Sequence, residues 1–367
     1  MSIDIGIIGL QQSGKTTVFN ALSRGKADTV SHTTEAQTPH IGAAKIPEPR
    51  LEVLNKMLQP KKVVPVEARY IDVGASVKSL AQKGIGGELL NQLSNVDTLI
   101  CVVRAFTDDS IPHPEGSLDV QRDIGTLNLE LIFSDLAIME RRLERIETSL
   151  KGAKSPERQS LLQEKEILER FKAELEKDRP VRELTLEPGA AKLITNYQFL
   201  TAKPLLMIIN IGEDQLPQAE SIEADINVKF AGDKCRAITI CGKLEMELAQ
   251  MEDDEAQEFR DDYGLKESGL ERTIKMSYEL SDLISFFTIA SNEVRAWSIK
   301  KGTTALKAAG KIHTDMEKGF IRAEGISFND LVRCGSIAEA RKQGMLRLEG
   351  KDYIVQDGDV ITFLFNV

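Results

Sequence analysis

The residues best suited to do chemistry lie within the first twenty. Gly9-Leu10-Gln11-Gln12-Ser13-Gly14-Lys15-Thr16 matches the pattern G-x-x-x-x-G-K-[ST]. Gly9 and Gly14 let the backbone curl. The N–H groups of Gln12, Ser13, Gly14, Lys15, Thr16 and Thr17 can then turn inward on a chain of phosphates. A helix beginning at this point adds its own N–H groups and a dipole that favours negative charge. Lys15 reaches the β/γ-phosphates, both as a ligand and as the cation that offsets charge in transfer, and the Thr16 hydroxyl is suited to ligate Mg²⁺. Four fixed positions of these types recur by chance in about one in 80 chains of this length. The flanks lower the odds further. Ile3-Asp4-Ile5-Gly6-Ile7-Ile8 reads as a short buried strand, and Thr17-Val18-Phe19-Asn20-Ala21-Leu22 has helical spacing.

Three further groups fit a site of this kind. Val66-Glu67-Ala68-Arg69-Tyr70-Ile71-Asp72 alternates like a strand, and ligands in such sheets sit beyond the carboxyl ends of strands. Asp72 is therefore placed either to hold Mg²⁺ through water or to cap the following turn. Two later apolar strands end in Asn210-Ile211-Gly212-Glu213 and Cys241-Gly242-Lys243-Leu244-Glu245. In GTPases the corresponding loops carry N-K-x-D and S-A-K and read the base. Here N-x-x-E puts Glu213, longer by a methylene, where Asp would accept from guanine N1 and N2. A displaced carboxylate leaves guanine's donors poorly paired, so the reading is adenine over guanine.

These residues need elements to position them. Thr98-Leu99-Ile100-Cys101-Val102-Val103-Arg104-Ala105-Phe106 is nearly continuously apolar, as expected of a parallel strand covered on both faces. Residues 24–39 are polar and aperiodic, where a switch loop would sense a γ-phosphate, and residues 80–87 are rich in glycine. From Leu118 to Leu175 apolar residues recur every three or four positions, interrupted at 151–156, with Pro156 suited to start a second helix. The stretch reads as two long antiparallel helices, a coiled-coil hairpin that is either an ordinary charged surface or an arm touching a large partner. Beyond residue 282 the pattern becomes short strands at 283–290, 293–299, 319–326 and 353–365, with a helix at 303–312.

Composition sets the outer bounds. The 367 residues suffice for two or three domains, and 41% hydrophobic with 28% charged residues indicates a globular chain. No apolar run has the length of a membrane span, and the chain starts directly on a strand, so the expectation is a cytoplasmic protein. The four cysteines show no C-x-x-C pairing and read as thiols. The net charge of −10 argues against a wholly basic nucleic-acid binder. However, residues 242–282 alone carry 13 acidic against 5 basic side chains, so the total does not exclude a local RNA contact elsewhere.

Taken together these residues resemble the Obg-like ATPase (YchF) family of P-loop proteins. Beside the P-loop and N-x-x-E, the resemblance rests on Glu293-Val294-Arg295-Ala296-Trp297, on the run from Ala308 to Ala323 that includes Gly310-Lys311-Ile312-His313-Thr314-Asp315, on Gly350-Lys351-Asp352-Tyr353-Ile354-Val355, and on Phe363-Leu364-Phe365-Asn366-Val367. It implies an α/β P-loop G domain at 1–117 and 191–281, a helical insert at 118–190, and a C-terminal TGS-type β-grasp domain at 282–367. It also implies an ATPase that binds ribosomes or their subunits, with Mg²⁺ and K⁺. The family lacks the glutamine that orients water in many GTPases. The resemblance puts a histidine in its place, and His113, between Pro112 and Pro114, falls there. A plain exposed loop histidine is the other reading. His313 reads as a helix-end or packing residue.

Several positions depart from the family. Gln11-Gln12-Ser13 replaces P-N-V, removing the Asn linked to K⁺ and weakening that expectation. The switch-I Thr falls on Ala36, between Thr34 and Thr38. The D-x-x-G glycine falls on Ala75, one residue after Gly74, and Ser76 follows. Binding parts are kept while sensing and hydrolysis parts are altered. The expectation is Mg²⁺-dependent ATP binding with slow turnover, gating a ribosome-associated factor. The alternatives are a nucleotide-binding scaffold with little hydrolysis, or a GTP-binding protein.

Overall fold

The computed structural model describes residues 3–23, 40–72, 88–265, 267–290 and 292–366. The switch positions Thr34, Ala36, Thr38, Gly74, Ala75 and Ser76, and the whole glycine-rich stretch at 80–87, lie outside them.

Buried apolar runs become strands, and amphipathic runs become helices. In chain order the elements are β1 (Ile3–Gly9), α1 (Lys15–Leu22), β2 (His40–Lys45), α2 (Pro49–Leu58), β3 (Lys62–Val64), β4 (Glu67–Asp72), α3 (Glu88–Ser94), β5 (Thr98–Arg104), α4 (Val120–Leu150) and α5 (Ser155–Leu175). These are followed by α6 (Pro188–Tyr197), β6 (Leu205–Asn210), α7 (Ala219–Phe230), β7 (Cys235–Ile240), α8 (Gly242–Leu248), α9 (Asp253–Asp262) and α10 (Gly269–Leu280). The last stretch holds β8 (Leu283–Ala290), β9 (Glu293–Lys300), α11 (Ala305–Ile312), α12 (Thr314–Lys318), β10 (Phe320–Ser327), α13 (Phe328–Cys334), α14 (Ile337–Lys342), β11 (Arg347–Glu349) and β12 (Asp359–Phe365).

The chain divides into two compact units. One comprises Asp4–Gly42 and Tyr70–Leu280. Its sheet runs β2-β4-β1-β5-β6-β7, and β1, β5, β6 and β7 pair in parallel. Every residue of β5 and β6 is buried, which is why both read as unbroken apolar strings. The helical hairpin belongs to this unit. Asp119 caps α4 through the Arg122 N–H, and Pro156 sits in the first turn of α5. Ile132, Met139 and Ile146 of α4 share a core with Leu168, Phe171 and Leu175 of α5. The ion pairs Arg142–Glu164, Lys165–Glu147 and Lys172–Glu140 link the two helices along its surface.

The other unit comprises Met1–Ile3, Ala43–Arg69 and Ser281–Val367. Its sheet runs β11-β10-β12-β8-β9-β3 around Phe286, Trp297, Ile299, Ala308, Ala323 and Phe363. The outer strand β3 comes from far upstream and pairs in parallel with β9, Lys62 opposite Glu293. Arg50 of α2 donates to both carboxylate oxygens of Asp357, at 2.8 and 3.2 Å, and lies over the Phe287 ring at 5.3 Å. The expected strand at 353–365 is shorter than the sequence suggests. Residues 353–358 make a turn in which Asp359 accepts from the Tyr353 hydroxyl and the Gln356 N–H, and pairing begins at Asp359. His313 caps α12, its Nδ1 accepting from the Asp315 N–H, which is the helix-end role.

No described helix is long and apolar enough to cross a membrane.

Candidate functional site

The loop between β1 and α1 has the geometry its glycines require. Gly14 adopts φ +86°, and a side chain there would meet the Asn210 amide nitrogen at 2.2 Å. A Cβ on Gly9 would meet the Val102 carbonyl oxygen at 2.5 Å. Gln12 is also left-handed, at φ 61°. The Lys15 ammonium folds back along its own loop, donating to the carbonyls of Gly9 at 3.2 Å and Leu10 at 3.0 Å. Burial pulls its pKa below the usual lysine value, and the nearby Asp72 carboxylate opposes that shift. Asp72 ends β4 and is 1% exposed. Ser13 is buried within the loop, and its hydroxyl has no hydrogen-bond partner among the described residues.

Three loops meet at the carboxyl ends of the parallel strands, joined by one side chain. Asn210 closes β6, is 4% exposed, and spends its amide in two directions. Its Nδ2 donates to the Ser13 carbonyl at 3.1 Å, and its Oδ1 accepts from the Gly242 N–H at 3.0 Å. The phosphate loop, the Asn210–Glu213 loop and the Cys241–Gly242 loop are thereby braced together. Ile211 is buried in the core beneath, while Glu213 is exposed and pairs with Lys243 at 3.3 Å. Cys241 is buried, and burial pushes its thiol pKa up. Thr16 and Thr17 occupy the first turn of α1, with Thr16 exposed.

His113 is not an exposed loop histidine. Its side chain is 7% exposed, with Nε2 2.9 Å from an oxygen of Asp123, which is itself buried in the first turn of α4. Nδ1 accepts from the Glu115 N–H, so both ring nitrogens are engaged. The other Asp123 oxygen takes two hydrogen bonds from Arg122. The loop before His113 is held by Arg104, which donates to the carbonyls of Phe106 and Asp108 and stacks on the Phe106 ring. Asp123, Arg104 and Lys243 escape sequence reading because only the fold reveals their partners.

The fit to a phosphate chain with a divalent cation rests on this geometry. The Gly9 and Gly14 positions leave no room for side chains, the Ser13 hydroxyl has no partner among the described residues, and the Lys15 ammonium donates to two carbonyls that phosphate oxygens can replace. Among the described residues there is no cluster of three or more His, Cys, Asp or Glu that could hold a metal ion.

Known proteins resemble this chain along its whole length. The family model YchF-GTPase_C, "Protein of unknown function (DUF933)", matches residues 283–366. The "Ribosome-binding ATPase YchF" of Bacillus subtilis is 40% identical over 370 residues, covering 100% of both chains. The proteins of the same name from Pasteurella multocida and Escherichia coli O157:H7 are 37% and 36% identical, again over 100% of both chains. The solved "Structure of the Schizosaccharomyces pombe YchF GTPase" superposes with a TM-score of 0.82 at 29% identity, covering 99% of this chain and 98% of that one. Full-length likeness at this identity, joined to a P-loop braced by Asn210, makes this chain a P-loop NTPase of the YchF family.

Proposed function

We propose that this chain binds ATP in preference to GTP, with Mg²⁺, hydrolyses it slowly, and serves as a nucleotide-gated, ribosome-associated factor in the cytoplasm. The observation that carries the nucleotide reading is the Asn210 brace, which ties the phosphate loop and both base-side loops together. The backbone N–H groups from Gln12 to Thr17 and the Lys15 ammonium hold the phosphates. The Thr16 hydroxyl and Asp72 would hold Mg²⁺, which would supply charge to offset that on the phosphoryl oxygens. Asn210, Ile211, Glu213, Cys241 and Gly242 form the base side of the site. The ribosome and ATP come from the relatives' name. K⁺ is not part of the proposal, given Gln11-Gln12-Ser13. By function the chain is a G domain at 1–117 with 191–281, a helical insert at 118–190 and a C-terminal domain at 282–367, whereas by packing 43–69 groups with the C-terminal strands and the insert with the nucleotide unit.

One observation favours a second reading, a scaffold with little hydrolysis. The histidine that would orient water has both nitrogens engaged, one of them by Asp123. The test is calorimetric titration of nucleotide-stripped protein with ATP and GTP analogues in Mg²⁺, followed by single-turnover hydrolysis with and without ribosomes. Tight ATP binding with ribosome-dependent turnover supports the first reading. ATP binding with no turnover beside ribosomes supports the scaffold. GTP bound more tightly than ATP overturns the adenine assignment.

A further inference from the structure

The carboxylate on the base side of the site has a partner. Glu213 lies three residues after Asn210, and the Asn210 amide oxygen accepts from the N–H of Gly242, the residue before Lys243. The two side chains meet at 3.3 Å between the Lys243 ammonium and Glu213 Oε1. Neither is packed in place, with 70% and 41% of their side-chain surfaces exposed. The contact is therefore made by charge rather than imposed by the core. Hydrogen bonding to Glu213 raises the Lys243 pKa, so the ammonium stays charged throughout the neutral range.

We propose that Lys243 is a specificity-determining residue: it compensates the Glu213 carboxylate and so turns the base site away from guanine. The inference rests on the nucleotide reading above and adds a residue to it. Guanine offers two parallel donors, N1–H and N2–H, and rewards a carboxylate with both oxygens open to accept. With Lys243 on one oxygen, the pair offers one acceptor beside one donor. Guanine's second donor then faces an ammonium and goes unpaired. Adenine asks for one acceptor, for its N6 amino group, and one donor, for N1, which the pair supplies. Lengthening Asp to Glu removes the best fit to guanine, and Lys243 removes the residual attraction.

The test is equilibrium titration of the full nucleotide-stripped chain with fluorescent ATP and GTP analogues in Mg²⁺. The natural protein is compared with Lys243→Met, which keeps the apolar stem, with Lys243→Arg, which keeps the charge, and with Lys15→Ala as the phosphate-site control. Lys243→Met is expected to lower the ratio of GTP to ATP dissociation constants about tenfold, the worth of one charge-assisted hydrogen bond, chiefly by tightening GTP. Lys243→Arg should keep the natural ratio. A Lys243→Met ratio within about twofold of the natural one, or a natural protein that prefers GTP, overturns the inference while leaving the nucleotide site standing. Absence of binding to either analogue, or affinity unchanged by Lys15→Ala, overturns the nucleotide reading itself and the inference with it.

Discussion

His113 Nε2 sits 2.9 Å from Asp123 Oδ2, with both side chains almost wholly withdrawn from water. A histidine that acts on water over a γ-phosphate has to leave this contact first. Asp123→Ala removes the contact and is expected to raise basal single-turnover hydrolysis about fivefold, by enlarging the population of undocked His113. His113→Ala is expected to lower turnover at least about 100-fold with nucleotide affinity unchanged. The double variant should behave as His113→Ala alone. Equal rates for the natural chain and His113→Ala would remove the histidine from the mechanism.

Lys15 is the cation that phosphates would draw from its two backbone carbonyls. Lys15→Ala should weaken ATP binding about 100-fold or more, since charge-assisted contacts to phosphate are the strong ones. Its thermal midpoint should stay near that of the natural chain, because the hydrogen bonds of the ammonium go to carbonyls of its own loop.

Asn210 and Gly14 make a coupled pair. Asn210→Ala leaves the Ser13 carbonyl and the Gly242 N–H without their buried partner, at a cost of about 2–4 kcal/mol in stability. Gly14→Ala strains a left-handed residue and drives a methyl into the Asn210 amide. Both should lose nucleotide affinity in titration. The double variant should be less damaged than the sum of the two, because removing the amide makes room for the methyl.

Asp135 gives the fold a pH dependence. It is fully buried in α4, accepts from the N–H groups of Leu200 and Thr201 and from the Thr201 hydroxyl, and burial still pushes its pKa up to about 6. That lies above the usual aspartate value near 3.9, so the folded state holds the extra proton. The group's stabilising contribution is complete below about pH 4 and is lost as pH rises through about 6. Relative to Asp135→Asn, the natural chain should lose about 3 kcal/mol of stability between about pH 4 and pH 8, read by denaturant unfolding.

How much of this was legible depended on whether the signal was local. The phosphate loop and its flanks span twenty consecutive residues from Ile3 to Leu22, and β5 announces itself because both faces are covered. The hairpin was legible because period and proline agree. By contrast β3 is three residues between Pro60 and Pro65, and its pairing with Glu293-Val294-Arg295 leaves no trace in either segment. The short α13 and α14 interrupt a stretch that reads only as turns. In the site, Glu213 could be found by its offset from Asn210. Its pairing with Lys243, and that of His113 with Asp123, are products of folding.

The β3–β9 pairing has a consequence for biogenesis. The unit that contains the chain's last residues also requires Arg50 and residues 62–64. During synthesis those early segments emerge while their partners, beginning near residue 281, are still untranslated. They must wait through the making of more than half the protein before their edge of the sheet can close. A fragment cut at residue 282 would lack that strand and the arginine clasp, and an early stop would strand them without a partner.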